Sequence, residues 1–195
     1  MFTGNHVLDE LKRDYPYTDN ILQKLIQMLE FYAGIHGKAL VVRFDLKYPE
    51  GYREVYFNDS IMKFSAYIVQ FYKNQGYDPC YMWVREQETS LHPHYHFLIL
   101  LNGNKVRSYH YVFETAKSFW GNILGVSPLG LVDHCTKGKD GTFHENGILL
   151  VRSNGNYCER CSDVLRQVSY MAKFDGKGDY LDGLRNFGMS RLHRR

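Results

Sequence analysis

The chain has 195 residues (22.9 kDa), 44% of them apolar and 23% charged, with a net charge of +3. That length fits a single domain, residues 1–195, with a sizeable buried core, and the composition excludes a disordered chain. No stretch approaches the ~20 apolar residues of a membrane span. The opening MFTGNHVLDELKRD lacks the basic-then-apolar pattern of a secretory signal. The expectation is a soluble, cytoplasmic protein with no membrane partner.

Four cysteines are too few for a disulfide scaffold at this size. The modest basic excess lies in residues 131–195, and a short basic tail over about 185–195 ends in Arg191, Arg194 and Arg195. Aromatic residues reach 15%, with 16 Tyr, 12 Phe and 2 Trp. Such a surplus suits stacking on nucleobases, although most rings belong in a core.

Residues 19–33 predict a helix with Ile21, Leu22, Leu25, Ile26, Leu29 and Tyr32 on one face, Thr18 or Asp19 as cap, and Gly34 beyond it. The β-branched, apolar run Lys38–Leu46, ending before Tyr48-Pro49, predicts a strand. Asn58-Asp59-Ser60 caps a second predicted helix that reaches about Lys73, with Ile61, Phe64, Ile68 and Phe71 in register. Strands are expected at about Tyr81–Glu88 and at His94–Leu101, and the short connection between them implies an antiparallel hairpin. Val106–Ile123 predicts a helix with Tyr109, Val112, Phe113, Ala116 and Trp120 inward, followed by an irregular stretch from Gly125 to Gly147. A strand at Ile148–Arg152 and a helix from about Cys158 to Phe174 complete the pattern. The order α-β-α-β-β-α-β-α predicts an α+β fold, with helices packed on a central, mostly antiparallel sheet that carries the histidine strand.

That strand, His92-Pro93-His94-Tyr95-His96, is the most informative segment. Residues two apart share a strand face, so His94 and His96 present parallel imidazoles that a metal can bridge. The neighbouring strand offers a carboxylate, Glu86 first and Glu88 second, and the hairpin register decides between them. Imidazole with carboxylate and open positions suits Mn²⁺ or Mg²⁺ acting on phosphate, although imidazole also suits Zn²⁺. The plainer reading is a chance cluster on a solvated face, since the chain holds nine histidines.

On the last predicted helix, Cys161, Val164, Leu165, Val168, Met171 and Ala172 form an apolar stripe. Tyr170 points away from it, beside Arg166 and Lys173. A tyrosine between two cations is placed to meet a phosphate and, as phenolate, to attack it. An exposed tyrosine on a helix is also commonplace in a chain this rich in them.

Together, His94-Tyr95-His96 and Tyr170-Met171-Ala172-Lys173 resemble the histidine and tyrosine motifs of the HUH endonuclease superfamily, and Val41–Leu46 looks like its first strand motif. Trp83-Val84-Arg85-Glu86-Gln87 before the histidines is most similar to the inovirus-type replication proteins and their prophage-encoded relatives. The resemblance implies a strand-specific DNA nickase and ligase of the single-tyrosine type that initiates rolling-circle replication of a phage, plasmid or satellite element. His94, His96 and an acid would hold Mn²⁺ or Mg²⁺, Tyr170 would form a 5′-phosphotyrosine, and Lys173 would assist at the phosphate. Single-stranded or hairpin origin DNA would be the substrate, with a host helicase and polymerase as partners in a bacterial cytoplasm.

Arg166, Lys137, Lys139, Arg191, Arg194 and Arg195 are the candidate contacts to DNA phosphates. Cys158-x-x-Cys161 offers half of a zinc site, with Cys135, His134 or His144 as candidate partners, but a second close pair is missing. The alternative to a nickase is a catalytically silent DNA-binding module of the same fold, acting at an origin or as a regulator.

Overall fold

The computed structural model describes residues 18–52, 57–87, 91–106, 108–138, 141–173 and 184–192. Among them are four α-helices, α1 Asp19–Ile35, α2 Asp59–Asn74, α3 Tyr109–Leu124 and α4 Tyr157–Ser169, with a 3₁₀ turn at Tyr170–Ala172 directly after α4. The strands are β1 Lys38–Leu46, β2 Cys80–Glu86, β3 His94–Asn102, β4 Val132–Asp133, β5 Ile148–Val151 and β6 Phe187–Met189. No helix of the described residues is long and apolar enough to cross a membrane.

The strands form one sheet in the order β4-β1-β3-β2-β6, with β5 beside the other half of β1, and every pairing is antiparallel. The fold is therefore α+β, with helices on a mostly antiparallel sheet, as the element order predicts. Strand alternation divides the side chains between two cores. Val41, Met82, Val84, Leu98 and Leu100 meet Leu25, Leu29 and Tyr32 of α1 and Val164, Leu165 and Val168 of α4. On the opposite face Phe44, Trp83, Tyr95 and Phe97 meet Phe64 and Ile68 of α2 and Phe113 and Trp120 of α3. Most of the aromatic surplus is in this second core, where Phe64 lies edge-on to both Phe97 and Trp120 at 5.1 and 5.8 Å.

Several local expectations change. Thr18 and Asn58 are the residues before α1 and α2, yet neither caps with its side chain. Instead the Thr18 N–H donates to Ala172 O (2.8 Å), tying the start of α1 to the 3₁₀ turn. Asn58 accepts from the buried Tyr95 hydroxyl at 3.1 Å and donates to Arg185 O at 2.8 Å. The last helix stops at Ser169 rather than Phe174, so Tyr170 stands on a tighter turn. Two short strands, β4 and β6, carry no periodicity long enough to predict. β6 falls within the expected basic tail over 185–195. Phe187–Met189 pairs with β2, so these three residues form an edge of the sheet.

Candidate metal centre and tyrosine site

The chemistry-bearing residues meet at one end of the sheet, on the face covered by α1 and α4. Antiparallel register brings the end of β1, the end of β2 and the start of β3 together. Asp45 faces His96 across β1 and β3, and Glu86 faces His94 across β2 and β3. The register sets Glu86 on the face of the two histidines, opposite His94, while Glu88 lies outside the described residues.

His96 is 1% exposed and each of its ring nitrogens meets a carboxylate. Nδ1 is 2.7 Å from Asp45 Oδ1, and Nε2 is in close contact with Glu86 Oε2. His94 Nε2 is 3.4 Å from the same Glu86 oxygen. The two imidazole rings stand nearly perpendicular, 4.8 Å apart. Asp45, His94 and His96 offer ligand atoms that all lie within 4.8 Å of one another, a possible metal-binding cluster. The donor set of imidazole and carboxylate oxygen fits a divalent cation, and neither Cys158 nor Cys161 belongs to it. Cys161 is buried in the α1/α4 core, where burial pushes its thiol up to about 11, so it behaves as an apolar side chain.

Electrostatics bind this group together. Burial opposes the charge on Asp45, but His96 and Arg43 outweigh it and hold the carboxyl well below its usual range. Glu86 is held low in the same way, with burial overcome by hydrogen bonds from His94 and His96. Burial lowers the His96 imidazole, and Asp45 and Glu86 together raise it above its ordinary value. In its protonated form such an imidazole donates from both nitrogens, one to each carboxylate.

Tyr170 completes the site. Its ring is edge-on to His96 with centroids 5.6 Å apart, and it remains 41% exposed. The Arg43 guanidinium is 4.7 Å above the same ring, a cation–π contact. Arg43 also donates to Gln167 O at the end of α4 (3.3 Å) and reaches Asp45 Oδ1 at 3.5 Å. Burial and the Glu86 charge raise the phenol above its ordinary value, while Arg43 and Lys173 pull it down. Arg43 is itself held by Asn146, whose side chain accepts from the Arg43 N–H (3.1 Å) and donates to the Arg43 carbonyl and to His134 O, each at 2.5 Å.

Two cavities adjoin the centre. One, of about 530 Å³, is bordered by Glu86, His94, His92 and Tyr48. The other, of about 500 Å³, is bordered by Arg43, Tyr170, Arg166 and Phe143. Arg166 therefore adjoins the site, and Lys137, exposed, bridges to Phe143 at its rim. Arg191 does not adjoin it. The Ser190 N–H bonds to Tyr81 O near the start of β2, roughly 15–20 Å of strand from Glu86. Lys139, Arg194 and Arg195 lie outside the described residues.

The structure brings together His94, His96, Glu86 and Tyr170, which sequence reasoning singled out, and adds Asp45 and Arg43, which it did not. Their signal is present: two charges two residues apart interrupt an otherwise apolar strand, so both fall on one face. The family model for the YagK/YfjJ C-terminal domain matches residues 2–190. No curated protein matches the chain, and no solved structure does. A match over nearly the whole length makes this chain a member of the YagK/YfjJ C-terminal domain family.

Proposed function

We propose that this chain nicks and rejoins single-stranded DNA through a covalent tyrosine–phosphate intermediate, as its resemblance to the HUH endonucleases implies. The observation that carries the reading is the 5.6 Å contact between Tyr170 and His96, which sets an exposed phenol against the candidate metal cluster. Glu86, His94 and His96 are the proposed ligands, because the Nε2 atoms of both histidines converge on one Glu86 oxygen. Asp45 then holds His96 from behind through Nδ1, the arrangement by which an outer carboxylate orients a ligating imidazole. A bound Mn²⁺ or Mg²⁺ supplies Lewis-acid charge at the scissile phosphate.

The remaining work falls to the chain's own residues. Tyr170 Oη forms the new bond to phosphorus as the bond to the 3′ oxygen breaks. The phenolic proton passes to solvent, and the departing oxygen takes a proton to become a free 3′-OH. Arg43, above the ring, and Lys173 stabilise the negative charge that develops. The reverse reaction rejoins the strand. In this reading the released 3′-OH primes a host polymerase and a host helicase separates the strands, in the cytoplasm of a bacterial cell during rolling-circle replication.

A covalent-adduct assay tests the proposal. The protein is incubated with Mn²⁺ and a pool of single-stranded oligonucleotides from its own replicon, then resolved on a denaturing gel and mapped by peptide mass. The expected result is an adduct at Tyr170 that EDTA and Tyr170→Phe both abolish. A pool that binds without forming an adduct would point instead to a DNA-binding module.

A further inference from the structure

The cavity beside Tyr170 and Arg43 has a character of its own. Its far wall is the loop ahead of β5, where Phe143 presents a phenyl ring that is 79% exposed. The opposite wall is the outward side of α4, with Asp163, Arg166 and Gln167, and its border with the site is Tyr170 and Arg43. The acids on these walls are already paired. Both Glu145 oxygens receive Arg160 at 2.7 Å, and Asp163 lies 3.4 Å from Arg160 and 3.8 Å from Arg166. Arg43 is likewise paired with Asp45, so around the exposed Phe143 ring four cations, Arg43, Arg160, Arg166 and Lys137, stand against three acids, Asp45, Glu145 and Asp163.

An aromatic face among cations is the combination that holds single-stranded nucleic acid, the ring by stacking and the cations by the backbone. The volume of about 500 Å³ falls in the range of small-ligand pockets. Placement adds to this. A phosphodiester at the metal cluster joins two nucleosides, and the site has one cavity at Glu86 and His94 and another at Arg43 and Tyr170.

We infer that the cavity between the Phe143 loop and α4 seats one nucleotide adjoining the phosphate that Tyr170 attacks, its base stacked on Phe143 and its backbone held by Arg166. The inference rests on the nicking function proposed above and assigns the residues that would grip the strand on one side of the cut. Phe143 and Arg166 have no part in the metal cluster or in the bond-forming step.

The test separates binding from chemistry. Binding of a fluorescein-labelled pool of random 12-nucleotide single strands, with Mn²⁺, is followed by anisotropy in a Tyr170→Phe background. Adding Phe143→Ala is expected to weaken binding about 5–150-fold, the range for removing one stacked base. Phe143→Trp retains binding, and Tyr67→Ala, on α2 at the other face of the sheet, leaves it unchanged. Arg166→Gln weakens binding and flattens its logarithmic salt dependence by about 0.7, one phosphate contact on a single strand. Equal binding by the parent and by Phe143→Ala overturns the inference, and an adduct at Tyr170 in the unsubstituted chain would still uphold nicking. Loss of binding in Phe143→Ala with no adduct in the unsubstituted chain keeps the cavity as a DNA site and removes the nicking function. A parent that binds none of the pool overturns both.

Discussion

Asp45 and His96 stand directly opposite each other on neighbouring strands, and the Asp45 carboxylate oxygen is 2.7 Å from His96 Nδ1. In the proposed centre this pair would orient His96 as a ligand, because Nδ1 held by Asp45 leaves Nε2 on Glu86. Removing the charge of Asp45 while keeping its shape separates an orienting role from direct ligation. Asp45→Asn is expected to weaken Mn²⁺ binding about 10–100-fold, the usual cost of losing an outer-shell partner. Isothermal titration calorimetry measures it. Unchanged affinity would remove Asp45 from the centre, and complete loss would make it a ligand in its own right.

The charge state of the cluster predicts a pH dependence with a defined sign. Without metal, the lowered carboxyls of Asp45 and Glu86 stabilise the fold above the unfolded carboxylate range, near pH 4, and this is lost as pH falls through their folded values. His96 is raised, so its contribution is fully present below the unfolded imidazole value of about 6.5 and lost as pH rises through the folded one. The protein in EDTA is therefore expected to melt at progressively lower temperature as pH climbs past the His96 value. In the proposed centre a divalent ion held by His96 would compete with the imidazole proton, so its uptake would release a proton and strengthen with pH. Melting curves from pH 5 to 9, with EDTA or Mn²⁺, check both trends; an alkaline loss of the same size with Mn²⁺ would contradict them.

Much of this centre is legible in the sequence because strand alternation is a short-range rule. His94 and His96 share a face whatever they pair with, and Glu86 needs only the hairpin register to join them. Asp45 is harder, since its role depends on which strand lies beside β3, a long-range pairing that no local pattern reports. Tyr170 is legible as a residue that escapes the apolar stripe of α4, but its placement on a 3₁₀ turn is not. That turn is fixed from elsewhere in the chain, by the Thr18 N–H on Ala172 O. Asn146 gives no signal at all, because its value lies in a gap between two short strands that only the folded sheet contains.

Arg43 joins the candidate metal cluster to Tyr170, the proposed nucleophile, reaching Asp45, the Gln167 carbonyl and the face of the phenol ring. A lysine keeps the charge but not the planar fork that makes these contacts together. Arg43→Lys is expected to slow adduct formation at Tyr170 by about 100-fold, comparable to losing one preorganised donor at a developing charge. Metal titration of the same variant shows whether the cluster survives. A normal adduct rate with Arg43→Lys would limit Arg43 to a structural ion pair.

Asn146 repairs the edge of β1 where its two partners leave a gap. β5 pairs with Lys38–Val41 and β4 with Asp45–Leu46, so on that edge the backbone at Arg43 has no strand beside it. The buried Asn146 amide supplies both missing bonds, to the Arg43 N–H and to its carbonyl, and anchors the β4 side through His134 O. Asn146→Ala leaves these groups unpaired and is expected to cost about 2–4 kcal/mol, a fall in Tm of roughly 5–15 °C for a chain of this size. Asn146→Asp is the sharper test, since a carboxylate still accepts from the Arg43 N–H but can only repel the two carbonyls. It should melt no higher than Asn146→Ala. An Asn146→Asp protein as stable as the parent would show that the two donor bonds do not hold Arg43 in place.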